Sequence, residues 1–89
     1  MRAIVTVTGK DTVGIIGGVC TCLSHYNINI LDISQTVLQG YFTMTMVVDA
    51  SQANVEFGEL VKLMGDYGTE RHLSIRVQRE DIFDAMHKL

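Results

Sequence analysis

The 89-residue chain lacks most of what would tie a short protein to a membrane, a nucleic acid or a metal. No stretch approaches the roughly 18 continuous apolar residues of a membrane span. The start, Met1-Arg2 followed at once by an alternating pattern, has neither the apolar core nor the small-residue cleavage site of a secretory signal. A cytoplasmic location and no membrane partner are therefore expected. Basic residues are few: Arg2, Lys10, Lys62, Arg71, Arg76, Arg79 and Lys88 are mostly scattered along a chain of formal net charge −3. Nothing in that distribution would track a phosphate backbone, so no nucleic-acid partner is expected. The only cysteines, Cys20 and Cys22, stand two apart in a helical pattern, which sends their side chains to nearly opposite sides of the helix. That spacing suits neither a disulfide nor a shared metal, and both read as small buried apolar groups of a reducing compartment. Repeats, linkers and low-complexity segments are also lacking.

What is there is the pattern of one small domain. Apolar residues make up 47% of the chain and charged residues 19%, and a chain this short buries only about two-thirds of its unfolded surface. Pairing with another chain would bury more. Residues 2–8 alternate, with Ala3, Val5 and Val7 on one face and Ile4, Thr6 and Thr8 on the other, which predicts a half-buried strand. A helical stripe of Ile16, Val19, Cys20, Leu23 and Tyr26 follows, with Asp11 placed to cap its start. Residues 27–39 read as a long strand, Gln39-Gly40 as a turn, and residues 41–49 as the return strand of a hairpin with Phe42, Met44, Met46 and Val48 on one face. A second helix is predicted from Ala53 to Tyr67, burying Phe57, Leu60, Val61 and Met64 and stopped by Gly68. A last strand turns Leu73, Ile75 and Val77 inward. A short tail helix follows, with Ile82, Phe83, Met86 and Leu89 as its apolar stripe and Lys88 in its last turn.

The order βαββαβ plus a tail helix predicts an α+β, ferredoxin-like sandwich. It has a four-stranded antiparallel sheet with both helices on one face, because right-handed crossovers place them together. The domain is expected over residues 1–78 and the helical tail over residues 79–89. The other sheet face would carry Ile4, Thr6, Tyr41, Thr43, Thr45, Val47, His72, Ser74 and Arg76. It is left exposed, covered by the tail helix, or buried against another chain.

This fold hosts unrelated functions, so the residues must choose. RNA-recognition modules stack bases on aromatics of the open face, where this chain offers Tyr41 alone. Metal chaperones need mobile paired cysteines in the first loop, whereas Cys20 and Cys22 lie well inside the helix. In "GKDTVGIIGGVC" Gly9 and Gly14 have the glycine spacing of a P-loop, but Ile15 and Ile16 stand where Lys and Ser/Thr are required, and the Rossmann order of glycines is not met. His25, His72 and His87 fall apart from one another with no nucleophile and carboxylate in partnership. No enzyme, metal or cofactor is expected.

The stretch "VTVTGKDTVGIIGGVCTCLSHYNINILDISQ" resembles the ACT domain, a regulatory module that commonly binds amino acids. The likeness rests on a strand, a short loop ending in Asp11 with Gly14 and Ile15 close behind, one helix, and Asn29-Ile30 opening the second strand. With its short tail, the chain is similar to the small stand-alone ACT-domain proteins of bacteria related to the regulator of the glycine cleavage system. Thr12-Val13 stand where many amino-acid-binding ACT domains carry Arg-Pro. The resemblance implies a non-enzymatic sensor of a small-molecule effector, an amino acid, acting as a homodimer and signalling through a partner protein. It also implies a site built from Asp11, Thr12, Val13, Gly14, Ile15 and Asn29. Unpaired N–H groups at the helix start suit a carboxylate, Gly14 lets it approach, Asp11 suits an ammonium, and Asn29 offers both donor and acceptor. Asp11 serves equally as a plain helix cap. The paired Gly17-Gly18 point to close approach of another backbone, from the second helix or from a neighbouring subunit. An interaction module that binds protein and no small ligand is the alternative.

Overall fold

Seven elements follow one another in the computed structural model, which describes residues 1–10 and 13–87. They are β1 Arg2–Lys10, α1 Ile15–His25, β2 Asn29–Leu38, β3 Tyr41–Asp49, α2 Phe57–Glu70, β4 Ser74–Arg79 and α3 Glu80–His87. The strand with the plainest alternation, β1, lies inside the sheet, antiparallel to β3 from Arg2 opposite Asp49 to Lys10 opposite Tyr41 and to β4 from Ala3 opposite Arg79 to Thr8 opposite Ser74. With β2 on the outer side of β3, the order is β2-β3-β1-β4, the expected ferredoxin-like antiparallel sheet.

The helices cover the face that carries Ala3, Val5, Val7, Met44, Met46, Val48, Ile75 and Val77, and contribute Ile15, Val19, Leu23, Leu60 and Met64 to one continuous core. Each large side chain fully buried there is worth roughly 1.5–3 kcal/mol over leaving it in water. Gln39 and Gly40 both take positive φ, 55° and 80°, which gives the turn a twist that matches its flanking strands.

Several elements differ from the sequence reading. The α2 helix begins at Phe57 rather than Ala53. Residues 50–56 are instead stitched to the end of α1: the Asn54 amide N–H donates to the Tyr26 carbonyl at 3.1 Å, and the Asn27 side chain donates to the Gln52 carbonyl at 2.7 Å. At its other end α2 runs on to Glu70 through Gly68, so that glycine does not stop the helix. It is buried for another reason: a Cβ there would stand 2.8 Å from the Leu73 carbonyl oxygen and 2.9 Å from Ile75 Cγ1. The chain reverses at His72, with φ 60°. Val61, expected inside, is 39% exposed, because α2 buries Leu60, Met64 and Gly68 and turns Val61 outward.

Strand β2 carries a bulge at Leu31, since Ile30 lies opposite Val48 and Asp32 opposite Val47. Beyond it Ile33 and Val37 face the helix side yet are 39% and 53% exposed. On the opposite face Ile4 is only 5% exposed. The α3 helix packs against β1 and β4 and half-buries Phe83, consistent with the tail covering that end of the sheet. Ile82 stays exposed, while the Met86 side chain, Lys88 and Leu89 lie outside the described residues.

Two predictions follow from this packing. Gly68→Ala should lower stability by about 1–3 kcal/mol through overpacking against the Leu73 backbone, whereas Gly65→Ala, with open space at its Cβ, should raise it by up to about 1 kcal/mol. Urea denaturation of the two variants checks this, and equal effects would show that the approach of Gly68 to β4 is unimportant. The second concerns acid. Asp49 accepts the Ser51 backbone N–H at 2.9 Å and lies 3.6 Å from the terminal ammonium. Hydrogen bonds from the Ser51 backbone and side chain, first, and then that charge hold its carboxyl below the ordinary range. A folded-state value below the unfolded one stabilises the protein above the ordinary carboxylate value of about 3.9, and this is lost as pH falls through the folded value. Asp49→Asn should therefore flatten the acid limb of the melting temperature below about pH 4.

Candidate functional site at the start of the first helix

Strand β1 ends at Lys10, and the chain enters α1 through Val13 and Gly14, both exposed. Gly14 holds φ 90° and ψ 2°, a left-handed conformation that costs a residue with a Cβ far more than glycine. Its carbonyl accepts the Gly18 N–H at 2.9 Å, the first bond of the helix. By helix geometry the N–H groups of Ile15, Ile16 and Gly17 then have no intrahelical acceptor. The N-cap position belongs to Gly14. Asp11 and Thr12 themselves lie outside the described residues.

Val13, Gly14 and Ile15 line a cavity of ≈ 330 Å³ whose other wall is Tyr67, Arg71 and Leu73. Arg71 is the residue just past α2, and its guanidinium carbon lies 3.7 Å above the centre of the Tyr67 ring. Its Nη1 donates to the Tyr67 carbonyl at 3.2 Å and faces the Glu70 carboxylate at 3.5 Å. The Tyr67 hydroxyl end occupies the space a Gly18 Cβ would fill. The expected close approach at Gly18 thus comes from α2 of the same chain, by a side chain rather than a backbone. One planar cation, held by stacking and a carbonyl, is set beside the free N–H groups of a helix start. That arrangement accepts an oxyanion.

Asn29 is not part of this cleft. It lies opposite Asp49, which lies opposite Arg2, whereas the loop follows Lys10. The length of β1, about 26 Å, separates the two. Tyr67 and Arg71 escaped the sequence reading, in which Arg71 was one of several scattered bases. The available signal was their i, i+4 spacing at a helix end, where an arginine reaches back over a ring.

Behind the cleft, the Cys22 thiol points to Met64 Sδ at 3.6 Å. Burial pushes it above the ordinary thiol range, and the Arg71 charge pulls weakly the other way. Both cysteines are free and half-buried. Among the described residues no group of three or more His, Cys, Asp or Glu side chains is placed to hold a metal ion. No helix among them is long and apolar enough to cross a membrane.

The sequence model of the ACT domain matches residues 2–78. This chain belongs to the ACT domain family. A UPF0237 protein of Listeria innocua is 53% identical over 89 residues, covering all of both chains. An ACT domain protein from Streptococcus pneumoniae superposes with a TM-score of 0.83 at 40% identity, over 94% of each chain. A protein assigned as a glycine cleavage system transcriptional repressor shares the fold, with a TM-score of 0.73 at 19% identity over 86% of this chain and 44% of that one.

In this ACT domain the cation over Tyr67 and the thiol behind it should be coupled. In a Cys20→Ser background, the pH profile of Cys22 alkylation by iodoacetamide should lie above that of an unhindered thiol. Arg71→Ala should move it higher still, since removing a nearby cation disfavours the thiolate. A profile unmoved by Arg71→Ala would show that the charge does not reach Cys22.

Proposed function

We propose that this ACT domain is a regulatory module that binds an amino acid at the start of α1. It acts as a homodimer and passes the signal to a partner protein. The observation that carries the reading is the cavity where Val13, Gly14 and Ile15 meet Arg71. The effector's carboxylate sits on the N–H groups of the helix start and the guanidinium, and Asp11 receives its ammonium.

The position of Asn29 supports a two-chain site. Strand β2 is an edge, and Leu31, Ile33, Val37 and Leu38 along it are exposed. Two such edges paired antiparallel about a two-fold axis bury those side chains and satisfy the open row of backbone groups. The same pairing carries Asn29 of the partner subunit to the Leu38 end of β2. Leu38 lies opposite Tyr41, which lies opposite Lys10, so this is the end where the loop begins. The exposed β2 edge equally suits a protein partner without any small ligand, which is the second reading.

A thermal-shift screen against the twenty amino acids at fixed protein concentration decides between them. An effector present at ten times its Kd adds about 1.4 kcal/mol, on the order of 5–10 °C for a domain this small. The shift should vanish in Asp11→Ala and in Asn29→Ala, and should grow with protein concentration. Absence of any response, with the dimer retained, favours the interaction module.

A further inference from the structure

A second cavity, of ≈ 520 Å³, opens between α1 and α2. Gly17, Gly18, Thr21, Cys22 and His25 form its α1 wall, and Tyr67 and Arg71 close it from the α2 side. Tyr67 meets α1 at Gly18, between Val13–Ile15, which line the first cavity, and Thr21–His25, which line this one. The two cavities therefore share Tyr67 and Arg71 as a common wall. The volume lies within the range of about 300–1,000 Å³ usual for small-molecule sites.

Among the described residues of this lining Arg71 is the one fixed charge, and none is a carboxylate. Burial pushes the Cys22 thiol above its ordinary range, away from the thiolate. Stacking on Tyr67 fixes the plane of the guanidinium and the Tyr67 carbonyl occupies Nη1, which leaves the Nε and Nη2 edge without a hydrogen bond among the described residues. A fork in that state matches a carboxylate bidentately. The rest of the wall is glycine Cα, the thiol, the Tyr67 ring, the flank of Thr21 and the His25 imidazole, a largely apolar bed for a ligand body with one polar ring at its edge. An ammonium placed there would lose water, and Glu70, which faces Arg71 from outside the lining, is exposed and already engaged with the guanidinium.

We propose that this trench is a second small-molecule site, for an organic carboxylate with an apolar body and no ammonium group, gripped edge-on by Arg71. Val13, Gly14 and Ile15 line the first cavity and not this one, so the trench differs from the amino-acid site at the loop while sharing its Tyr67–Arg71 wall. Glu70, 3.5 Å from Nη1 and exposed, competes with the ligand for the guanidinium.

The test is amide and arginine Nε–H chemical-shift titration of the full chain with 3-phenylpropanoate and with L-phenylalanine, which differ in the ammonium. Saturable shifts from millimolar 3-phenylpropanoate centred on Gly17, Thr21 and Arg71 are expected, with L-phenylalanine binding there about tenfold or more weakly. Arg71→Gln should abolish the response. A Cβ at Gly17 meets nothing within 4 Å, so Gly17→Leu should fill the trench and abolish the response, with the amide spectrum of the free variant checking that the fold is kept. Glu70→Gln should tighten binding and Asn29→Ala should leave it unchanged. The proposal is overturned by an absence of saturable shifts from 3-phenylpropanoate, by shifts centred on Val13–Ile15 instead, by equal or tighter binding of L-phenylalanine in the trench, or by insensitivity to Gly17→Leu.

Discussion

An eleven-residue helix cannot cover a ten-residue strand. At about 1.5 Å per residue α1 spans about 16 Å, while β2 at about 3.3 Å per residue spans about 33 Å. Both crossovers place their helices on one face of the sheet, where α1 is too short to run the length of the edge strand β2. This mismatch explains why Ile33 and Val37 point to the helix side and remain in contact with water. It also leaves the chain with 5757 Å² of accessible surface, against about 5,200 Å² expected for a monomer of this size.

The same shortness shapes the cleft. Because α1 starts only after the left-handed turn at Gly14, the start of its first turn lines a cavity with the end of α2. The two helices stand apart and are bridged by side chains: the Tyr67 ring reaching to Gly18, and the Cys22 thiol on Met64. Tyr67 also carries Arg71 on its ring and at its carbonyl. A single aromatic residue thus sets the spacing of the helices and the orientation of the one cation in both cavities.

The strands and the hairpin were legible in the sequence because their signals are local. Alternation places Ala3, Val5 and Val7 on the core face without help from distant residues, and Gln39-Gly40 supplies its own turn. What escaped depends on tertiary partners. Ala53 looks helical until Asn54 and Asn27 tie its segment to the end of α1. Gly68 looks like a helix stop until the Leu73 carbonyl is seen packed against it. For the site, the loop residues Val13, Gly14 and Ile15 were visible as a glycine-containing turn between strand and helix. Arg71 was not, because its significance lies in a ring four residues earlier and a loop some sixty residues away in sequence.

Asn29 brings these threads together. Within one chain it stands at the wrong end of β1 to meet a ligand held at Gly14. On the proposed reading only a two-fold partner resolves this, and the partner is favoured by the uncovered edge that the helix mismatch creates. Effector binding and subunit pairing then become one equilibrium: a ligand that touches both chains stabilises the pair by its differential affinity for the paired state. A domain too small to bury its own edge strand is well suited to such a device, because completing its surface and completing its site are the same event.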